Sequence, residues 1–296
     1  MYSNFLPNTI AFLEQLFDRQ ATPAAAQWLK EKQNLVRSSE TGKDLYLPFS
    51  AAPRYVGKSM LSLTPDELEQ ASQLRKGFNP TNWTTDQLAR TILLLSLPHD
   101  NADNYSKTIL KLFGTADMGE LVALYAALPL LPHPEKFVAQ ATEGIRTNMG
   151  NVYEAIALNN PYPFENFIEA AWNQLVLKTI FTGKSLHKIY GLDERSNPDL
   201  ARMLSDYAHE RWAAGRTVTP ELWRPVGPYI NETIISDIKK LFASENETEH
   251  EAAALACTQS SYPEAQALLD QHPLLKHKIK EGQLNWSHIG QKAITA

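Results

Sequence analysis

Helix-start signatures recur along the chain, and no stretch alternates apolar and polar residues over the length of a strand. Together these leave an all-helical fold as the expectation. Thr64-Pro65-Asp66-Glu67 sets a capping hydroxyl, a first-turn Pro and a reciprocal Glu in the register of a capping box. Thr84-Thr85-Asp86-Gln87 repeats the box with Gln and leads into the apolar run 92–97, which Pro98 stops. Thr22-Pro23, Asn197-Pro198 and Thr219-Pro220 open further helices. From residue 101 onward, amphipathic segments follow one another through tight, Pro-containing turns. The pattern predicts an all-α fold of stacked antiparallel helix pairs, an α-α superhelix of HEAT/armadillo-like type, although no motif repeats. The whole of 1–296 reads as a single all-helical domain. Within it, 1–100 holds N-terminal helices and a long irregular segment at 38–58, and 101–296 forms a helical-repeat-like body.

The stretch 159–229 stands apart from the rest. It carries three of the six Trp and six of the eighteen Pro, so rigid turns and aromatic surface concentrate there with His, Asp and Arg. A helix is predicted over 163–181, with Phe164, Phe167, Ile168, Ala171 and Leu175 on one face and Ala170, Leu177 and Phe181 on a second. Apolar on two sides, it reads as a central helix, and Lys178 falls inside its main stripe. A second helix starts at Asn197-Pro198 and ends near Gly215. Leu200, Met203, Leu204, Tyr207 and Arg211 share its inner stripe, while Arg202, Asp206, His209 and Glu210 lie on the far, solvated side.

A cation on an apolar stripe must reach solvent, stack on an aromatic ring or meet a carboxylate. Arg211 is therefore expected to be largely buried and bound to a carboxylate or to carbonyls. Two readings of this centre stand. In one, a buried polar network fixes how helices dock. In the other, Lys178, His187, Asp193, Arg195, Asp206, His209, Arg211, Arg216, Trp223 and Arg224 line a basic, aromatic pocket for an anionic or polyhydroxylated ligand.

Composition narrows the function classes. The 296 residues, 43% hydrophobic and 21% charged, suffice for a sizeable core. A net charge of −5 without a long basic run argues against nucleic acid or an acidic membrane surface as the main partner. A lone Cys257, set in an Ala-rich helix, excludes an internal disulfide framework and a cysteine-rich zinc site. The N-terminal stretch is amphipathic and lacks a basic start, and no apolar run is long enough to cross a bilayer, so a cytoplasmic location is expected.

Walker, GxGxxG, GxSxG and HExxH motifs are absent. His187, Asp193, Asp206 and His209 are residue types that bind metals, but their spacing matches no standard ligand frame. No metal and no cofactor is expected. Asp206 and His209, three residues apart, are the weak acid–base candidates.

The strings NNPYP, AWNQLVLK, LDERSNPDLARMLSDYAHERWAAGR and PELWRPVGP resemble the EboA family, most strongly over about 150–245. The resemblance implies a helical-repeat-like protein from gene clusters that also encode a UbiA-type prenyltransferase, a sugar-phosphate cyclase, a sugar isomerase-like protein and a TatD-like hydrolase. It implies a role in metabolite traffic and carries over no catalytic residue. The expected function is that of a non-catalytic accessory protein binding a polar or prenylated intermediate or a partner enzyme. Two alternatives stand beside it. One is an enzyme of the same pathway acting on a cyclitol- or sugar-phosphate-like substrate. The other is a ligand-free scaffold for the pathway's membrane enzyme. Expected partners are proteins of the same gene cluster or a small-molecule metabolite, with peripheral association with a membrane enzyme allowed and nucleic acid excluded.

Overall fold

The computed structural model describes residues 5–295, with side chains described through Lys292. Seventeen α-helices and six short 3-10 turns account for its regular structure. Among the described residues, extended pairing is limited to one isolated bridge between Met60 and Thr84. The fold is all-α, as the cap signatures predict. Thr64 and Glu67 exchange both capping-box bonds, and Asp117 and Glu120 do the same three helices later. The chain divides into two compact units, Met1–Ile168 and Glu169–Ala296.

The first unit is built around the Thr85–Ser96 helix, all twelve residues of which are buried. The Phe5–Gln20, Pro23–Arg37, Tyr46–Val56 and Met118–Ala127 helices surround it. A helix enclosed on every side must be apolar all round, and LARTILLL nearly is. Arg90 is the charged residue of that run.

The expected irregular segment 38–58 is mostly helical, with a 3-10 turn at Lys43–Leu45 and an α-helix at Tyr46–Val56. Two prolines conceal that helix in the sequence. Pro48 lies in the first turn, where no amide partner is needed. Pro53 lies inside the helix and deprives the Phe49 carbonyl of its intrahelical donor. Arg90 Nε supplies the missing bond at 3.0 Å. Leu45, Phe49 and Ala52 face inward at helical spacing and hold the segment down.

The helix expected over 163–181 is two helices, Tyr162–Asn166 and Glu169–Phe181. Phe167 adopts an extended conformation between them, and the Asn166 side chain donates back to the Tyr162 carbonyl at 3.0 Å. Ile168, expected on the buried stripe, is 71% exposed. Phe181 and Ala170, from the second expected stripe, are also exposed. The central role read for this segment belongs in the first unit to the Thr85–Ser96 helix.

In the second unit the central helix is Glu247–Gln259. Its AAALAC run is buried throughout, and the Ile235–Phe242, Pro263–Asp270 and Trp286–Thr295 helices pack around it. Small side chains let neighbours approach closely. A Cβ on Gly227 would come within 2.9 Å of the Ala256 carbonyl. Cys257 is fully buried here, and burial pushes its thiol up to about 12, which leaves it without thiolate at neutral pH.

The His272 ring lies flat on Phe242, 4.0 Å between centroids and 6° between planes, and His250 flanks the same ring at 6.4 Å. Burial first, and then the charge of His250, lower the proton affinity of His272 below the ordinary value. The unfolded chain therefore binds this proton before the folded chain does. The stabilising contribution is complete above the unfolded pKa, about 6.5, and is lost as the pH falls through the lower folded pKa. Urea midpoints of wild type are expected to fall between neutral and acidic pH more steeply than those of His272→Phe. Parallel profiles would count against the coupling.

Candidate functional site

The ten residues singled out in the sequence all lie in the second unit. The Pro198–Ala213 helix organises them. Its N-cap, Asn197, accepts the Leu200 amide at 2.8 Å. The same side chain exchanges two amide bonds with buried Asn173, at 3.2 and 2.8 Å, and so anchors the helix to Glu169–Phe181.

Ser205, His209 and Trp212 follow at i, i+4 and i+7, one continuous face of that helix. They meet Asp237 and Lys240 of the Ile235–Phe242 helix. Ser205 Oγ donates to Asp237 Oδ2 at 2.7 Å. His209 Nε2 donates to Asp237 Oδ1 at 2.6 Å, which assigns the hydrogen to Nε2 because an ionised carboxylate only accepts. Lys240 Nζ sits 3.9 Å over the Trp212 ring centroid. Trp212 in turn lies nearly parallel to fully buried Trp223, 5.8 Å away. The two helices thus meet through successive rungs, an ionic one and a cation-on-ring one, three residues apart on each side.

His209 is accordingly not on a purely solvated face, as its sequence position suggested. Half of its side chain is exposed, and the other half is bound to a buried carboxylate. Asp206 points elsewhere. It pairs with Arg202 at 3.3 Å on the exposed surface, so the expected Asp206–His209 acid–base pair is replaced by two separate pairs.

His187 meets Glu221 of the Pro220–Trp223 turn. Glu221 Oε1 accepts from the His187 amide at 2.7 Å and faces Nδ1 at 2.9 Å. Gly290 closes over this pair. A Cβ there would lie 2.0 Å from His187 Nδ1 and 2.8 Å from Glu221 Oε1. Gly290→Ala is therefore expected to destabilise the unit by about 1–3 kcal/mol through overpacking. Helix propensity alone predicts a gain of up to about 1 kcal/mol for the same change. The sign of the shift in unfolding midpoint separates the two.

Arg224 grips Asp193 with two bonds of 2.7 Å. Arg195 lies 4.8 Å over the Trp172 ring, and partial burial lowers its proton affinity against the opposing charge of Glu169. Burial also lowers that of Lys178. Arg216 is exposed.

Arg211 departs from expectation. It is half-buried, and its Nε and Nη2 both donate to the Thr217 carbonyl, at 3.1 and 3.0 Å. It fastens the turn that follows its own helix, because the last turn leaves carbonyls nearby and lets a long side chain fold back. No carboxylate is involved in these bonds.

Residues 9–227 match the family described as metabolite traffic protein EboA. The chain belongs to the EboA family. No curated protein and no solved structure matches it.

Within this EboA-family chain, the strings that carried the resemblance do structural work. Asn159 takes a positive φ of 53°. The buried Asn160 side chain donates to the Tyr125 and Ala155 carbonyls and accepts the Tyr162 amide, at 2.8–3.1 Å. Tyr162 Oη reaches the Pro134 carbonyl at 2.5 Å. NNPYP is thus a hydrogen-bonded clasp of the first unit. Asp237, Lys240 and Gly290, which complete the polar contacts of the second, lie beyond the matched residues. Sequence reasoning missed Ser205, Glu221, Asp237, Lys240 and Gly290, whereas Trp212 is one of the rings on which a cation of this centre could stack, and Lys240 is that cation. Only Asp237 announces itself, as a carboxylate beside the Ile234, Ile238 and Leu241 stripe.

The four residues weighed as a metal set, His187, Asp193, Asp206 and His209, bind Glu221, Arg224, Arg202 and Asp237 respectively. Among the described residues, no three His, Cys, Asp or Glu side chains gather into a group that would hold a metal ion.

Proposed function

We propose that this chain serves metabolite traffic as a non-catalytic accessory protein, binding an anionic or polyhydroxylated pathway intermediate, or the enzyme that carries it. Membership of the EboA family supports the pathway. One observation carries the non-catalytic part: the acid–base candidates Asp206 and His209 do not form a pair with each other and are held by separate intramolecular partners. Asp206 is held by Arg202, His209 by Asp237 and His187 by Glu221. Ser205 and His209 both bond to Asp237 and not to each other, so the nucleophile-to-base contact of an activated serine is missing.

The ligand-facing groups of this reading are Arg195 on Trp172, the Asp193–Arg224 pair, Lys178 and Arg216. A guanidinium backed by an indole offers both charge and a flat surface to a phosphate or a ring hydroxyl. The test has two arms. Native mass spectrometry of the chain purified from cells that express its gene cluster should show an additional bound mass. Affinity purification from the same cells should recover an enzyme of the cluster. Arg195→Ala should reduce whichever is found by about tenfold, with an unchanged unfolding midpoint. Turnover of a sugar phosphate or cyclitol phosphate by the pure chain, abolished by His209→Ala, would overturn the non-catalytic reading. Neither a bound mass nor a recovered partner would overturn the binding reading.

A further inference from the structure

We propose that the Pro273–Lys280 helix is a docking element for an anionic phospholipid surface. The inference rests on the C-terminal part of the chain alone, outside the residues that match the family, and does not depend on the function proposed above.

This helix buries no residue, whereas every other α-helix among the described residues contributes at least one buried side chain. An eight-residue helix that buries nothing has little to sustain it in water. Here it is held by its surroundings. His272, immediately before it, is stacked on Phe242, and the helix lies against Glu247–Gln259 and Pro263–Asp270. It is thus presented ready-formed, and no ordering of its backbone opposes binding.

Its sequence, PLLKHKIK, has no acidic residue. Three of the chain's 28 Lys and Arg fall within these eight positions, in a chain whose net charge is −5. Lys276 pairs with Asp270, with both side chains more than half exposed. Lys278 and Lys280 have no ion pair among the described residues. Leu274, 78% exposed, shares the outer face with His277 and Lys278 at i+3 and i+4. Leu275 and Ile279, one turn apart, are half-buried on the other side.

A protruding leucine that shares its face with His277 and Lys278, with Lys280 one turn beyond Lys276 and with Asp270 and Glu281 as the acidic residues at the two ends of the segment, has the chemistry of a bilayer interface. The cations reach headgroup phosphates, and the leucine reaches the acyl boundary. A protein partner would need a wider apolar centre than one side chain provides. A polyanion such as nucleic acid would extend past the patch onto the acidic remainder of the chain. The patch itself acts within a Debye length, about 8 Å at physiological salt, so the net negative charge does not cancel it at contact.

The test is flotation of the full chain with phosphatidylcholine vesicles, with and without about one-third phosphatidylglycerol. Binding is expected only to the anionic vesicles. Each lysine contributes about fivefold, so Lys278→Glu with Lys280→Glu should weaken binding by more than about tenfold, and Leu274→Ser should weaken it severalfold. These positions are exposed, and circular dichroism should confirm that the variants fold. Absence of binding to anionic vesicles, equal binding to neutral ones, or binding that the double lysine variant leaves unchanged would each overturn the proposal. None of these outcomes touches the ligand and partner measurements described for the accessory role.

Discussion

Arg90→Ala is expected to lower the unfolding free energy of the first unit by about 3–5 kcal/mol, the range for breaking a buried pair from one side. Arg90 is 2% exposed on a helix that is buried along its whole length. Its guanidinium donates to Asp86 Oδ2 at 2.7 Å and to the Phe49 carbonyl at 3.0 Å. It also lies 4.0 Å from Glu120 and 5.3 Å from the centre of the Phe49 ring. Desolvation lowers its proton affinity, while Asp86, Glu120 and Asp117 raise it, and a guanidinium remains charged under such opposing effects. Truncation strands a buried carboxylate one turn earlier and returns the Phe49 carbonyl to the orphan state that Pro53 imposes. Arg90→Lys keeps the charge but cannot donate in two fixed directions, and it is expected to fall between wild type and Ala. Urea unfolding followed by circular dichroism measures both. A loss for Arg90→Ala within about 0.5 kcal/mol, the usual range for surface changes, would remove Arg90 from the centre of the unit's stability.

The physics that locates Arg90 is legible in the sequence, where it points also to other residues. A cation in an apolar stripe needs partners, and this reasoning selected Lys178 and Arg211. Arg90 in LARTILLL satisfies the condition more fully, since Leu88 and Ala89 precede it and the apolar run 92–95 follows Thr91. Arg211 escapes the stripe because it lies in the last turn of its helix, where a carbonyl six residues later is within reach. Caps such as Thr64 and Asn197 were legible because their donors and acceptors lie three residues apart. The break at Phe167 and the helix at Tyr46–Val56 were not legible. In the first case the helical spacing continues through a turn that has changed conformation. In the second a long-range donor compensates for a proline. The candidate site divides the same way. Its residue types were evident, but the partners of His209, Asp193 and His187 lie 28 to 34 positions away and depend on which elements meet.

Asp237→Ala is expected to destabilise the second unit by about 3 kcal/mol, because two donors lose one buried acceptor. Both carboxylate oxygens are engaged, one by the buried hydroxyl of Ser205 and one by His209. Ser205 has no solvent to turn to, whereas His209 is half-exposed and can rehydrate. The loss should therefore divide unequally. His209→Ala is expected to cost about 1 kcal/mol beyond any change in packing, since it leaves Asp237 with one partner instead of none. Asp237→Asn retains an acceptor for Ser205 and should lie between these values. Arg211→Ala, on the same helix, loses two bonds to an exposed carbonyl and should cost no more than about 1 kcal/mol. The order Asp237→Ala, Asp237→Asn, Arg211→Ala in equilibrium unfolding distinguishes a buried docking rung from a surface fastening. If Arg211→Ala were the most damaging of the three, the stabilising centre of the second unit would lie at the Thr217 turn rather than between the Pro198–Ala213 and Ile235–Phe242 helices. If Asp237→Ala left the midpoint unchanged while weakening the bound mass or partner, Asp237 would belong to ligand recognition, and the polar face of these helices would be the binding surface itself.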